Sequence, residues 1–275
     1  KHIPVNATKK QYDPKAVSIF TGLVLDKSGI GISGVNIAFH NKPELGSVLT
    51  DVEGRFIITA ASGGQTLVYS KTNYLTVHRN KIAASNNWAR LADVTLLALD
   101  NKKTAINLNS GEVQVHQSTM ISDKFGSRAT TLVFNGVTSA TVWSKDGSSR
   151  QLSEFFVQAT EYETPGSMPA NLPEESAFTY CSELQIPGVG DDENVVFNSP
   201  VVMYVDNFLE FPVGEIVPVG YFDRIDSKWK ASENGVVVKL LDSNNDGVVD
   251  GLDYTGDNLA DDINNNGSTS DEIAG

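Results

Sequence analysis

Oxygen-bearing side chains recur at alternate positions near the end of the chain, in the stretch DSNNDGVVDGLD that spans residues 242–253. Positions 1, 3, 5, 6, 9 and 12 of this stretch are held by Asp242, Asn244, Asp246, Gly247, Asp250 and Asp253. In a twelve-residue loop of this kind, alternate side chains turn inward and place oxygens about 2.3–2.6 Å from a calcium ion. The carbonyl of Val248 at position 7 supplies a further ligand, and Gly247 stands where the chain must turn sharply. The spacing therefore predicts a calcium (Ca2+) site.

The pattern repeats at a spacing of 11, so that position 12 of the first loop becomes position 1 of the second. The ligands predicted for the second loop are Asp253, Thr255, Asp257 and Asp261. Asn258 takes the glycine place, and asparagine tolerates a left-handed backbone better than most residues do. We expect at least one bound calcium ion, with a carboxylate shared between neighbouring loops.

A third loop can be framed in two ways. Continuing the spacing of 11 aligns Asn264 with position 1 and Glu272 with position 9, and places Asn266 at position 3. A frame that starts at Asp262 also takes in Asn264 and Asn266, but it puts Ile273 where a carboxylate is wanted. We predict Asn264, Asn266 and Glu272 as ligands and leave the frame open.

A solvated acidic linker is the alternative interpretation of this stretch, since runs of like charge usually stay disordered. Residues 242–275 contain nine acidic residues and no Lys or Arg, and so carry −9 of the net charge of −13. Without a cation these carboxylates would repel one another, and the regular spacing favours metal loops.

Composition limits what the rest of the chain can be. A length of 275 residues, 40% of them hydrophobic, is enough for two domains with separate cores. The net charge of −4 outside the acidic stretch excludes a nucleic-acid surface, and no apolar run is long enough to span a membrane. Residues 1–10 lack the apolar centre of a signal peptide, so we expect any signal to lie upstream or to have been removed.

The single cysteine and the predicted loops bear on the compartment. Cys181 lies in the alternating stretch AFTYCSEL and is expected to be a buried structural residue. Calcium loops with many neutral ligands bind weakly, which suits the high calcium concentration outside cells. We predict an extracellular or cell-surface protein.

Short apolar alternations separated by Gly, Asn, Asp and Pro fill the chain, and this pattern is typical of β-sandwiches. A first set of strands lies between residues 17 and 104, and the side chains expected in its core are Val35, Ile37, Phe39, Phe56 and Ile58. A second set lies in residues 105–240. The predicted fold is all-β: two consecutive β-sandwich domains followed by an Asp/Asn-rich calcium-binding loop segment at 241–275. Residues 1–16 are expected to be an extension that is poorly ordered or loosely packed.

The first set of strands resembles the carboxypeptidase regulatory-like domain, which has a transthyretin-like sandwich. The segments that carry this resemblance are GLVLD at 22–26, GVNI at 34–37, TDVEGRF at 50–56, LVYS at 67–70 and NYL at 73–75. The resemblance implies a non-catalytic module.

A longer ordered series of motifs resembles the N-terminal region of large secreted bacterial Rhs/YD-repeat proteins. The series consists of NYLTVHR at 73–79, DVTLL at 93–97, TEY at 160–162, MPANLP at 168–173, SAFTY at 176–180, PVVMYVDNFL at 200–209, FPVG at 211–214 and VPVGYFD at 217–223, followed by the Asp-rich loops. The resemblance implies a module that precedes a shell of YD repeats, which encloses or presents a variable domain, often a toxin. The implied partner is the downstream YD-repeat shell of the same parent protein, and a cell-surface or glycan partner is left open.

Residues 199–223 are unusually apolar for a segment that contains Pro200, Pro212 and Pro218. Proline keeps such a segment out of central strands. Part of it is therefore expected at an edge or on the surface, where four apolar side chains could form an interface with the downstream shell: Phe208, Leu209, Phe211 and Val213. Burial of these side chains in the core of the second domain is the alternative.

The sequence contains no arrangement typical of a catalytic site. The four histidines are scattered, and neither an HExxH motif nor a Gly-x-Ser-x-Gly elbow is present. His78 and His116 lie in strand-like alternation and are expected to be structural. We predict that the chain is not an enzyme. Two other functions remain open: a calcium-dependent accessory or carbohydrate-binding module of a secreted enzyme, and an adhesin stalk. The first loop also resembles that of a dockerin, but the two helices that a dockerin needs are not expected from so polar a sequence.

Overall fold

The computed structural model of the protein describes residues 2–5, 7, 13–174, 177–190 and 193–272. Its strands are β1 Val17–Leu25, β2 Asn36–Phe39, β3 Val48–Leu49, β4 Arg55–Ala61, β5 Gly63–Ser70, β6 Val77–Ala83, β7 Trp88–Arg90, β8 Val94–Thr95, β9 Thr104–Asn107, β10 Gln114–Gln117, β11 Ile121–Asp123, β12 Gly126–Arg128, β13 Thr130–Phe134, β14 Ala140–Trp143, β15 Ser149–Leu152, β16 Glu154–Glu161, β17 Ser182–Gln185, β18 Asn194–Phe197, β19 Val202–Val205, β20 Ile216–Val217, β21 Gly220–Asp223, β22 Lys228–Ala231, β23 Gly235–Val236, β24 Lys239–Leu241 and β25 Gly251–Asp253. Among the described residues there are also three short 3-10 helices: η1 Pro14–Ala16, η2 Pro43–Leu45 and η3 Pro165–Ser167.

The fold class is all-β, as the sequence predicts. The chain divides into two compact units. The first unit consists of Lys1–Leu99, Glu161–Glu183 and Phe222–Trp229, and the second consists of Asp100–Thr160, Leu184–Tyr221 and Lys230–Gly275. Among the described residues, no helix is long and apolar enough to cross a membrane.

Two sheets form the sandwich of the first unit. One has the order β4-β1-β7, with β8 also pairing with β1, and the other has the order β3-β2-β5-β6. Strands β1 and β4 are antiparallel, with Val17 opposite Ala61 and Leu23 opposite Arg55. The alternation in these strands turns one face of each sheet inward.

The core of the first unit contains the five side chains that the alternation predicts. Val35, Ile37, Phe39, Phe56 and Ile58 are all buried. Two edge-to-face aromatic pairs add directional contacts: Phe20 with Phe39 at a centroid distance of 5.6 Å, and Phe56 with Tyr69 at 5.7 Å.

Two downstream segments belong to the first unit, and both lie beyond the predicted domain boundary at residue 104. Arg79 donates hydrogen bonds to the carbonyls of Gly166 (2.8 Å) and Met168 (3.1 Å), and so fixes the turn around η3. Arg224 donates to the Tyr162 hydroxyl (3.2 Å) and pairs with Glu183 (2.7 Å). These contacts are tertiary and leave no local pattern in the sequence. The boundaries at 17–104, 105–240 and 241–275 stay a prediction, and the compact units divide the chain differently.

The second unit contains several small antiparallel sheets, among them β10-β13-β19, β15-β14-β18, the pair β9 and β16, and the hairpin β11–β12. Its core is formed by Ile106, Leu132, Phe134, Phe155 and Val157. Towards the C-terminus the pairs β20–β23 and β24–β25 carry fewer buried side chains. In residues 230–272, Val237 and Leu252 are the buried apolar side chains.

The expected N-terminal extension is described only in part, because residues 1, 6 and 8–12 lie outside the described residues. His2 exchanges two backbone hydrogen bonds with Ser47, at 2.7 and 2.6 Å, and Ala16 ends η1 just before β1. Loose packing of residues 1–16 as a whole stays a prediction.

Candidate metal centre

The pairing of β24 with β25 positions the first Asp-rich loop. Leu241 is opposite Gly251 and Lys239 is opposite Asp253, so residues 242–250 form the loop of an antiparallel hairpin. Leu252 is buried, and Asp253 is only 1% exposed. The residue that the sequence assigns to both loops is therefore held at the end of a strand, with a buried carboxylate.

In the first loop, the carboxylates accept hydrogen bonds from backbone N–H groups of the same loop. Asp242 accepts from the amides of Asp246 (3.1 Å) and Gly247 (2.9 Å). Asp246 accepts in turn from the amide of Val248 (2.8 Å). Asp250 closes the loop by accepting from the backbone N–H of Ser243 at 2.8 Å. The backbone of the loop thus folds around the carboxylate oxygens of the residues that the spacing predicts as ligands.

The second loop repeats this arrangement with few changes. Asp253 accepts from the amides of Gly256 (2.6 Å) and Asn258 (2.9 Å). Asp261 accepts from Tyr254 (2.7 Å) and Thr255 (2.9 Å), as Asp250 does from Ser243 in the first loop. The Asp257 carboxylate accepts from the amide of Leu259 at 2.9 Å, as the Asp246 carboxylate does from Val248. The two loops are equivalent at positions 5 and 9, and at position 1 they share the bond from the amide at position 6.

In the third loop the hydrogen bonds favour the frame that starts at Asp262. Asp262 accepts from the amides of Asn266 (3.0 Å) and Gly267 (2.8 Å), which repeats the bonds of Asp242 to positions 5 and 6. Asn264 accepts from Asn266 at 3.0 Å, as Asn244 does from Asp246 at 2.9 Å. Glu272 accepts from the amides of Ile263 (3.1 Å) and Asn264 (3.2 Å).

Glu272 therefore makes the loop-closing bonds that Asp250 and Asp261 make in the other loops. It stands two positions later in the Asp262 frame than they do in theirs. The glutamate side chain is one methylene longer than that of aspartate. Ile273 lies outside the described residues.

Left-handed backbone occurs at the same two positions of all three loops. Positions 4 and 6 are Asn245 and Gly247 (φ 60° and 85°), Gly256 and Asn258 (84° and 67°), and Asn265 and Gly267 (60° and 89°). Only glycine and asparagine fill these places, because other side chains are strained there. Sequence reasoning singled out position 6 and missed position 4, although its Asn–Gly–Asn series was visible.

The charge state of the loops follows from the same hydrogen bonds. The Ser243 hydroxyl and amide lower the pKa of the Asp250 carboxyl, and the amides of Tyr254 and Thr255 lower that of Asp261. Both groups are therefore ionised at neutral pH.

The donor set suits a hard cation, since it consists of carboxylate, amide, hydroxyl and carbonyl oxygens. Among the described residues, however, no three His, Cys, Asp or Glu side chains converge as a metal cluster. The carboxylates at position 1 of the three loops accept from backbone N–H groups, and a bound cation would share their oxygens.

The four predicted interface residues differ in their surroundings. The Phe208 ring lies 4.6 Å from the Arg128 guanidinium and is partly buried. A Cβ built on Gly256 would lie 3.8 Å from the Cβ of Val213, so Val213 packs close to the second loop. Leu209 and Phe211 are 37% and 36% exposed. Complete burial of the four, which would exclude docking, does not occur, and the interface stays a prediction.

The other side chains that sequence reasoning considered for chemistry have structural environments. Burial raises the pKa of the Cys181 thiol to about 12, and the nearby Glu183 carboxylate adds to this, so the thiol is protonated at neutral pH. His78 and His116 are buried. The His116 Nδ1 lies 2.9 Å from the Thr104 hydroxyl, and burial lowers the pKa of this imidazole.

Comparison with known proteins bears on the first sandwich. The family described as "Teneurin TTR-like domain" matches residues 12–96. This region is a transthyretin-like β-sandwich domain. The match covers less than half of the chain, so the family of the whole chain does not follow from it. No curated protein matches the chain.

Solved structures give only distant similarity. A 3-chlorocatechol 1,2-dioxygenase from Rhodococcus opacus 1CP is 14% identical over 36% of this chain and 67% of its own, with a TM-score of 0.27. The Bacillus anthracis TIE protein is 9% identical over 62% of this chain and 26% of its own, with a TM-score of 0.27. A streptococcal ancillary pilin is 10% identical over 62% of this chain and 59% of its own, also at 0.27. At these TM-scores none of the three carries an argument about this chain.

Proposed function

We propose that the chain is a non-catalytic structural and targeting module of a secreted Rhs/YD-repeat protein, in which calcium orders the junction to a downstream shell. The transthyretin-like domain supports a structural role, because its sandwich is filled with apolar side chains. The proposal places the protein outside the cell or on its surface, where calcium is abundant enough for loops with neutral ligands.

The observation that carries the calcium part is the repetition of one backbone arrangement in three loops. Each loop has a carboxylate at position 1 that accepts from the amide at position 6, and left-handed residues at positions 4 and 6. A solvated linker has no reason to repeat such an arrangement. Position 1 is Asp242, Asp253 and Asp262, and each of these carboxylates could share its oxygens with an ion.

Sparse burial in the same region supports a role for the ion in stiffening. With Val237 and Leu252 as the buried apolar side chains of residues 230–272, little apolar surface is removed from water there. A cation that binds only the folded loops would add stability by mass action, about 2.7 kcal/mol at a hundredfold excess over its Kd. It would also neutralise carboxylates that no Lys or Arg in residues 242–275 can pair with.

Calcium titration of the whole chain after chelation tests this part. We expect a heat of binding and a rise in melting temperature, both reduced in Asp246→Asn. Asp146→Asn is the matched control, because Asp146 also accepts from the backbone N–H two residues on, at 2.8 Å, in a hairpin turn outside the loops. The absence of any heat at millimolar calcium would overturn the calcium proposal.

The Rhs part is tested by the coding sequence on the C-terminal side of residue 275. YD repeats there support the proposal, a catalytic domain favours an accessory module, and further sandwiches favour an adhesin stalk. Either of the last two results would contradict the Rhs assignment without affecting the calcium measurement.

A further inference from the structure

One face of the sheet β15-β14-β18 in the second unit is open to solvent. Val142 and Ala140 of the central strand are buried, while Trp143, at the end of that strand, is 46% exposed. Strand β18 alternates in the same way, with Asn194 and Val196 exposed, whereas Ser149, Arg150 and Gln151 of the edge strand β15 are all exposed. Residues opposite each other in a sheet point to the same side.

The open face consists of two rows of three side chains, and none of them is ionisable. Trp143 is opposite Ser149 on one side and Asn194 on the other, and Thr141 is opposite Gln151 and Val196. We call these six residues the Trp143 face. Thr141 is partly buried, and the other five are exposed.

The Trp143 face contains two apolar side chains, Trp143 and Val196, and four neutral side chains that can form hydrogen bonds. The Gln151 amide donates to the Thr141 hydroxyl at 2.8 Å, which holds both side chains on the face. Amides and hydroxyls can each donate and accept. With strands about 4.8 Å apart and residues two apart separated by about 6.7 Å, the face measures about 10 by 7 Å.

We propose that the Trp143 face binds a neutral polysaccharide, with one pyranose ring stacked on Trp143. A pyranose presents C–H bonds on its face and hydroxyls around its edge, which complement an indole flanked by Ser149 and Asn194. The indole offers a large apolar surface at low conformational cost. This inference goes beyond the proposed function, and its residues lie outside the calcium loops.

The charge of the Trp143 face decides among the ligands that can stack on an indole. Single-stranded nucleic acids also stack on aromatic side chains, but they need a positively charged groove along the backbone. The face has no Lys or Arg, and the chain as a whole has a net charge of −13. Acidic polysaccharides likewise find no cationic side chain among the six residues of the face.

Affinity electrophoresis of the whole chain tests the proposal, in gels that contain mannan, arabinoxylan, hydroxyethylcellulose or glycol chitin. Heparin and oligo-dT serve as anionic probes. We expect retardation by at least one neutral polysaccharide, in calcium and in excess EDTA alike. Trp143→Ala should weaken it about tenfold, because the stacking surface is lost. Trp143→Phe should keep most of it. Trp88→Ala is the matched control, since Trp88 is 63% exposed on a strand of the first unit.

Several results would overturn the proposal. The proposal fails if no neutral polysaccharide retards the chain, or if Trp143→Ala is retarded as strongly as the wild type. It also fails if only heparin or oligo-dT retards the chain, or if the chain self-associates through Trp143. If Trp143→Ala fails to fold by circular dichroism, the double variant Gln151→Ala/Asn194→Ala takes its place. Unchanged retardation of that variant would equally reject the Trp143 face.

Discussion

Eighteen buried apolar residues form the main core of the first unit, whereas two, Val237 and Leu252, are buried in residues 230–272. Both regions use the same local devices, namely short antiparallel pairs and left-handed glycine or asparagine turns. The first region is stabilised by removal of apolar surface from water, at about 25 cal/mol per Å². The second holds its backbone with carboxylate–amide hydrogen bonds, which contribute little net free energy where water competes for them.

This difference explains why calcium should matter in one region and not in the other. The Asp-rich loops combine many carboxylates with few buried apolar side chains, so a bound cation is expected to add stability that a core does not supply there. The transthyretin-like sandwich is stabilised by its apolar core, and we expect its stability not to depend on calcium.

The largest effect is expected from Phe20→Ala in the core of the first unit. Phe20 is completely buried and contacts Phe39, so its removal should leave a cavity and cost about 3–5 kcal/mol of unfolding free energy. Urea denaturation measures the loss, and the heat of calcium binding should not change. The control is Ile57→Ala, since Ile57 lies on the neighbouring strand but is 61% exposed. Equal losses in the two variants would contradict burial as the source of stability.

A smaller effect is expected from Asp253→Asn in the loops. Because Asp253 belongs to two loops, this substitution should remove most of the calcium-dependent stabilisation, which is about 2.7 kcal/mol at a hundredfold excess over Kd. Asp257→Asn affects the second loop alone and should remove less. For each variant, the difference between the melting temperatures with and without calcium measures the calcium-dependent stabilisation that remains. The shared ligand would be disproved if Asp257→Asn had the larger effect.

The first unit should also lose stability in acid through His78. Burial, with help from Arg224, His40 and Arg79, lowers the pKa of this imidazole to about 3, against 6.5 when unfolded. Between these two pKa values, the imidazole binds a proton in the unfolded chain but not in the folded chain. The contribution of the neutral His78 imidazole to the unfolding free energy is present above pH 6.5 and is lost as the pH falls towards 3. The loss between pH 6.5 and pH 5 is about 2 kcal/mol.

The His78 effect is measured as the difference in unfolding free energy between the wild type and His78→Asn at several pH values. Asparagine can still hydrogen-bond with the Ser227 hydroxyl, which lies 2.8 Å from His78 Nδ1, but it does not titrate. A difference that stays constant from pH 7 to pH 5 would refute the explanation.

The smallest effect is expected from Gly247→Ala. Gly247 has φ 85° and nothing within 4 Å of a Cβ, so the cost is the left-handed backbone alone, about 1 kcal/mol. Gly29 has φ 80° and equally open space in a turn of the first unit. Gly29→Ala should cost about the same without calcium. With calcium, only the Gly247 variant should show weaker binding.

The sequence predicts the parts of this molecule that depend on local periodicity. Alternation identified Val35, Ile37 and Phe39 as core residues, and the spacing of oxygen ligands identified the loops that start at Asp242 and Asp253. It could not choose the frame of the third loop, since Asn and Ser fit both frames and only the amide partners of Asp262 distinguish them. Contacts of Arg79 and Arg224, which alternation does not encode, join the segments 161–183 and 222–229 to the first unit.

The composite make-up of the first unit has a consequence for its synthesis. His40 Nε2 lies 2.9 Å from the carbonyl of Ile225, a contact between residues 185 positions apart. A ribosome releases the chain from the N-terminus onwards, so the transthyretin-like strands emerge long before the segments that complete their unit. Contacts at such separation slow folding, because the loop entropy is lost before the contact is gained. Leu75 and Leu97 pack with Tyr162 and Met168 in the finished unit, so we expect their burial to be completed only after these downstream residues have emerged. Apolar surface that is exposed until then favours association with other chains.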